Sequence, residues 1–247
     1  MFDFTNKVIL VSGGSRGIGK AICTEFAGHG ATVILNYKKN KEKAEEIVNL
    51  IKSSGGYATS IKGDVSSFTQ CKDMMAFVIE NFGKVDVLVN NAGISMVDVF
   101  AYCKEENIEE IMGTNLLGTI NLTRCALPSM IDRKSGNIIN ISSMWGQCGA
   151  SCEVLYSATK GGIDSFTKAL GKEMAPSGIR VNAISPGAVA TEMNEWMSQK
   201  ELESLCEDIP LGRLAKPEEI AKLAVFLASD ASSYITSQII RADGGMI

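Results

Sequence analysis

The sequence predicts an α/β fold: a doubly wound, seven-stranded parallel sheet in the strand order 3-2-1-4-5-6-7. Three observations lead there. Short β-branched runs alternate with longer amphipathic stretches along the 247 residues. Several of the short runs are apolar almost throughout, as expected of parallel strands covered on both faces. A glycine-rich turn joins the first run to the first amphipathic stretch, and repeated right-handed β-α-β crossovers leave few other topologies.

The strands are expected at 7–12 (KVILVS), 32–37 (TVILNY), 57–61 (YATSI), 85–90 (VDVLVN), 136–142 (GNIINIS), 179–184 (IRVNAI) and 237–242 (SQIIRA). Helices are expected at 17–28, 41–53, 67–82, 104–131, 153–175 and 217–229. AGHGA and SSGG stop the first two helices. Ser66 or Ser67 would cap the third. Lys216-Pro217-Glu218-Glu219 opens the last, with proline in its first turn and acidic residues near the positive end of its dipole. No linker, repeat or low-complexity tract divides the chain, so residues 1–247 read as one domain, with a substrate lid at about 190–213.

Composition narrows the functions available. Hydrophobic residues make up 45% and charged residues 21%, with a net charge of −4. The only basic cluster is Lys38, Lys39 and Lys41, which argues against nucleic-acid or membrane partners. Seven cysteines (23, 71, 103, 125, 148, 152 and 206) lack any C-x-x-C and mostly sit in apolar patterns. They read as small hydrophobes in a reducing cytoplasm. The N-terminus has no signal peptide, and no apolar run reaches the ~18 residues of a membrane span. The sole histidine, His29, stands at a helix end. That excludes a Ser-His-Asp triad, a histidine-based dehydrogenase and a histidine-rich zinc site, and no metal is expected.

Ser12 to Gly19 reads SGGSRGIG. Gly13, Gly17 and Gly19, with Ser15, Arg16 and Ile18 between them, would let the backbone approach a pyrophosphate at the helix N-terminus. The second strand ends in Asn36-Tyr37-Lys38, where a carboxylate would bind the ribose 2′-hydroxyl of NAD. With none there, Arg16 and Lys38 would clamp a 2′-phosphate, so the expected cofactor is NADP(H). Asp64-Val65 would bracket the adenine.

Four further stretches converge at the carboxyl ends of the strands: Asn90-Asn91-Ala92-Gly93, Ile141-Ser142-Ser143, Tyr156-Ser157-Ala158-Thr159-Lys160 and Ser185-Pro186-Gly187. A tyrosine and a lysine four apart are, taken alone, an ordinary helix pair. Beside a nicotinamide they suit ketone reduction. Tyr156 would give the proton. Lys160, one turn on, would draw the phenol's pKa from about 10 toward neutrality, helped by the oxidised nicotinamide. Ser143 would donate to the developing oxyanion. Asn115 would either hold a proton-returning water or be a satisfied buried polar residue.

Taken together, Gly13-x-x-x-Gly17-x-Gly19, Asn90-Asn91-Ala92-Gly93, Asn115, Ser143, Tyr156-x-x-x-Lys160 and Pro186-Gly187 resemble the short-chain dehydrogenase/reductase set over essentially the whole chain. The resemblance implies a Rossmann fold and a catalytic tetrad of Asn115, Ser143, Tyr156 and Lys160. It implies cofactor contacts from Asn91, Ala92, Gly93, Lys160, Pro186, Gly187 and Thr191. It also implies a homotetramer built through 104–131, 153–175 and Asp243 to Gly245. Ser12 stands where the family usually has threonine, with the hydroxyl kept.

Within the family, GGSRGIG, NY after the second strand, PLGR, PEEIA and DGGM are similar to bacterial 3-oxoacyl-acyl-carrier-protein reductases. Lys134 matches a position that meets the carrier protein there, whereas Ser177 replaces an expected arginine. WGQCGASCEVLY is similar instead to a branch that reduces a 5-aminopentanone group on elongation factor P. Either substrate is a ketone carried on a protein. A non-catalytic NADP(H)-binding sensor or scaffold is the reading from another class. In the lid, Met193, Trp196 and Met197 would cover the substrate. Glu192, Glu195, Glu201, Glu203, Glu207 and Asp208 would suit an amine-bearing substrate better than an acidic carrier.

Overall fold

A computed structural model describes residues 2–192 and 197–247. Seven strands form one sheet: β1 (Val8–Val11), β2 (Thr32–Tyr37), β3 (Tyr57–Lys62), β4 (Val87–Asn90), β5 (Gly136–Ile141), β6 (Ile179–Pro186) and β7 (Ile239–Ala242). Their order is β3-β2-β1-β4-β5-β6-β7, and every adjacent pair is parallel. The connecting helices are α1 (Gly17–Gly28), α2 (Lys41–Ser53), α3 (Phe68–Phe82), α4 (Glu105–Ile111), α5 (Gly118–Arg133), α6 (Trp145–Cys148), α7 (Val154–Met174), α8 (Gln199–Asp208) and α9 (Pro217–Ala228).

The strand residues are divided between two cores by the alternation of the pleat. Ile9, Val11, Val33 and Leu35 point to the face covered by α1, α2 and α9, around Phe26. Val8, Leu10 and Ile34 point to the face covered by α3, α5 and α7. Because both faces are covered, the strands had to be apolar at consecutive positions, which is what made them legible.

Most expected boundaries hold within two residues. Ser67, not Ser66, caps α3 by accepting from the Gln70 N–H, and Lys216 precedes Pro217 at the start of α9. His29 caps α1 and bonds the Phe2 carbonyl through Nδ1 at 3.0 Å.

The stretch 104–131 is not one α-helix. A π-helical turn, Met112–Leu117, joins α4 to α5. The sequence reading also lacked α6 and α8. The cysteines divide more than expected: Cys23 and Cys71 are buried, Cys148 is exposed, and the other four are intermediate. Of the expected lid residues, Met193, Glu195 and Trp196 lie outside the described residues. Among the described residues, no helix is long and apolar enough to cross a membrane.

Phe26 is fully buried and meets Phe4 edge to face, with ring centroids 5.0 Å apart. Phe26→Ala is expected to cost about 3–5 kcal/mol in a urea unfolding curve, because the sheet cannot collapse into the space left.

Candidate active site

The glycine turn is held by side chains from the neighbouring strand ends. Ser12 Oγ accepts from the N–H groups of Asn91 (3.0 Å) and Ala92 (3.1 Å) and donates to the Val89 carbonyl. A hydroxyl is what this junction uses, so serine in place of threonine keeps it intact. Asn91 Nδ2 donates back to the carbonyls of Ser12 and Gly13, each at 3.0 Å.

Gly13 and Gly17 have φ of 64° and 51°. A Cβ on Gly13 would lie 2.9 Å from Ala92 Cα, and one on Gly19 would strike the Gly13 carbonyl. Gly17 is more open, with the Thr191 methyl 3.3 Å from where its Cβ would be. The N-cap residue of α1, Arg16, makes no side-chain cap hydrogen bond, and the first turn carries no acid. Free N–H groups at a positive helix end, against a backbone stripped of side chains, fit a diphosphate. Ser15, Gly17 and Ile18 are partly exposed at this turn and Arg16 is exposed.

Three residues expected to touch the cofactor do something else with their side chains. Asn36 is buried: its Oδ1 accepts from the Gly13 N–H and its Nδ2 donates to the Gly63 carbonyl at 2.9 Å. It braces the turn from behind, because its position on β2 points inward. Val65 is likewise buried, packed so closely that a Cβ on Gly118 would lie 2.6 Å from its methyl. Tyr37 is also buried, in the α1, α2 and α9 core.

Lys38 and Asp64 do sit together at the mouth, with Nζ 2.8 Å from Oδ2. Burial works against the Asp64 carboxylate. Lys38 and the Ser66 hydroxyl and N–H outweigh it and hold the pKa below the usual range.

At the strand ends, Lys160 is only 4% exposed. Its Nζ donates to the Ile141 carbonyl at 2.7 Å and stands 5.5 Å from the centroid of the Tyr156 ring. A Cβ on Gly93 would come within 3.7 Å of that Nζ and 3.4 Å of Asn115 Oδ1, so these three residues share one pocket. Pro186 O takes the Met144 N–H at 2.9 Å, and Gly187 passes so near β7 that a Cβ would lie 2.7 Å from Asp243 Cα.

Asn115 is fully buried within the π turn. Its Oδ1 accepts from the Ile94 N–H, its Nδ2 donates to the Ile94 carbonyl, both at 2.8 Å, and Nδ2 also reaches Thr159 Oγ1. The amide is therefore spent on the backbone after β4. The satisfied-polar reading describes the side chain.

Burial dominates the electrostatics. It pushes the Tyr156 phenol up to about 12, with the Ser143 hydrogen bond pulling back and Glu153 adding to the rise. It pulls Lys160 down to about 8, opposed by the buried Asp164 one turn further along α7. The sequence expectation was a phenol drawn toward neutrality. Desolvation wins instead, and at pH 7 both groups hold their protons, the state needed to protonate a ketone.

Sequence reasoning passed over Asp164 and Lys43. Glu192 was read as facing the substrate. It bridges Lys43 Nζ at 3.1 Å and Arg16 Nη1 at 3.6 Å. Lys134 ends α5 in the left-handed region, and Ser177 precedes β6. Both lie at the amino ends of their strands, opposite Ser143.

Residues 13–247 match the family model described as Enoyl-(Acyl carrier protein) reductase. The chain is 40% identical to the 3-oxoacyl-[acyl-carrier-protein] reductase FabG of Staphylococcus aureus strain Mu50, over 97% of this chain and 98% of that one. It is also 40% identical to the FabG of Thermotoga maritima, over 98% of each chain. A protein named uncharacterized oxidoreductase YmfI, from Bacillus subtilis strain 168, is again 40% identical, over 97% of this chain and 98% of that one.

A lysine pulled below its ordinary pKa opposes folding while it is charged and ceases to do so as pH rises from about 8 toward 10.5. Lys160→Met is therefore expected to abolish turnover yet gain about 1–2 kcal/mol of stability at pH 7. Urea midpoints should show that gain shrinking as the pH approaches 10.

Proposed function

The chain belongs to the short-chain dehydrogenase/reductase family, and from that premise we propose that it reduces a 3-oxoacyl thioester on an acyl carrier protein, using NADPH. Its broader activity is that of an oxidoreductase acting on a ketone or its alcohol with a nicotinamide cofactor. The observation that carries the reading is the buried Lys160 ammonium beside Tyr156, with Ser143 at the end of β5 opposing the rise of the phenol's pKa.

When bound, the reduced nicotinamide supplies a hydride and, once oxidised, a positive charge over the crevice. Tyr156 gives its proton to the carbonyl oxygen as charge builds there. Ser143 donates to the same oxygen. Lys160 stabilises the phenolate that Tyr156 becomes, held in place by the Ile141 carbonyl. Asn115 fixes the turn after Gly93.

The diphosphate rests on the turn of Gly13, Ser15, Arg16, Gly17, Ile18 and Gly19. Asn91, Ala92, Gly93, Pro186, Gly187 and Thr191 line the nicotinamide side. Arg16 and Lys38 favour NADPH, since no carboxylate ends β2.

We propose also that residues 1–247 form one domain with a lid at about 190–213, acting in the cytoplasm as a homotetramer. Exposed Leu117 and Val154, on the long helical stretches, support that assembly.

A second reading, reduction of the 5-aminopentanone on elongation factor P, draws on α8. Glu203, Glu207 and Asp208 are exposed there with a single lysine, Lys200, which repels an acidic carrier and attracts an amine.

NADPH consumption with an acetoacetyl thioester and with aminopentanone-modified elongation factor P, run in parallel, separates the two. Rapid use of the thioester supports the first reading. Turnover of the modified factor with a poor thioester rate replaces it with the second. Tyr156→Phe is expected to lose about 10²–10⁴-fold in kcat on the true substrate while still binding NADPH. Tight NADPH binding with no turnover of either ketone would instead indicate a sensor.

A further inference from the structure

Three cations stand where a cofactor's adenosine end would meet β2, and each already has a carboxylate partner. Lys38 holds Asp64 at 2.8 Å. Glu192 gives one oxygen to Lys43 at 3.1 Å and the other to Arg16 at 3.6 Å. That single carboxylate ties the glycine turn to the first turn of α2. Lys43 is the third residue of α2, and its N–H is capped by Asn40 Oδ1 at 2.9 Å, which places it at the positive end of the helix.

The fold gains little from this bridge. Arg16 is exposed and Lys43 and Glu192 are partly so, and solvent-accessible ion pairs of that kind contribute about 0–1 kcal/mol. Two cations converging on one doubly coordinated anion is, however, the arrangement a phosphate monoester takes. Glu192 is also next to Thr191, whose methyl overlies Gly17. The carboxylate therefore lies at the edge of the dinucleotide crevice.

We propose that Glu192 is a built-in anionic occupant of the 2′-phosphate position, and that the phosphate displaces it to engage Arg16 and Lys43 together. This rests on the reading of the cofactor as NADP(H) and adds two assignments to it. Lys43 is a phosphate ligand. Glu192 is a competitor that sets how strongly the site prefers the phosphorylated dinucleotide. With the carboxylate in place, the phosphate must exchange an ion pair and meet a like charge. An unphosphorylated ribose meets neither condition.

The test is binding, read by calorimetry with NADPH, NADH, 2′,5′-ADP and 5′-AMP on the full chain. Glu192→Gln is expected to tighten NADPH and 2′,5′-ADP about two- to fivefold while leaving NADH and 5′-AMP unchanged. Lys43→Gln is expected to weaken the two phosphorylated ligands by a similar factor and spare the others. A wild-type protein that prefers NADPH, with a preference that Glu192→Gln leaves unmoved or reduces, overturns the competitor role alone. A wild-type protein indifferent to the 2′-phosphate overturns the cofactor reading as well. Both side chains are partly exposed, and unchanged melting temperatures check that the fold is intact.

Discussion

A charged ammonium with 4% exposure is the constraint around which the crevice is built. Burying Lys160 is costly unless its protons find acceptors and its surroundings stay rigid. The Ile141 carbonyl at the end of β5 provides one acceptor. Ser142 donates to the Lys160 carbonyl, fixing the helix against the same strand end. Gly146 of α6 lies so near that a Cβ would stand 2.8 Å from the Lys160 carbonyl carbon. The absence of side chains at Gly93 and Gly146 is thus the steric counterpart of placing a cation here, and Asp164 is its electrostatic counterpart.

A second tier of buried amides keeps the strand ends in register. Asn90 donates to Asn140 Oδ1 and Thr123 Oγ1, and Asn140 donates to Thr167 Oγ1, all between 2.8 and 2.9 Å. This chain crosses from β4 through β5 to α5 and α7. Polar contacts in a dry interior are directional in a way that aliphatic packing is not. They hold the two catalytic elements, the end of β5 and the start of α7, at one spacing.

The sheet order and most helices were legible because a parallel strand covered on both faces leaves an unbroken apolar run, and because capping residues mark helix ends locally. The candidate site was legible where its residues are spaced by a helical turn, as Tyr156 and Lys160 are, or grouped at a strand end, as Asn90 to Gly93 are. What was not legible depends on where a side chain points. Asn36 follows the apolar residues of β2 and turns inward with them, which its amide does not reveal. Glu192 meets Lys43 across 149 residues of chain, and no local pattern signals an ion pair at such a separation. The π turn escaped because its residues, MGTNLL, are also compatible with an α-helix.

That turn has a further consequence for how the chain tolerates change. A π turn carries one more residue than the α-helical turn it replaces, and each residue of a helix rotates the next by about 100°. Leu122, Ala126 and Met130 form a buried stripe along α5, four residues apart. Their orientation is kept because the π turn takes up the additional residue locally. Losing one residue from Met112–Leu117 would close the π turn to an α-helical one and leave the apolar stripe of α5 facing the core. The π turn is thus the place in this helical stretch where a change of one residue in length can be taken up without rotating the side chains that pack on the sheet.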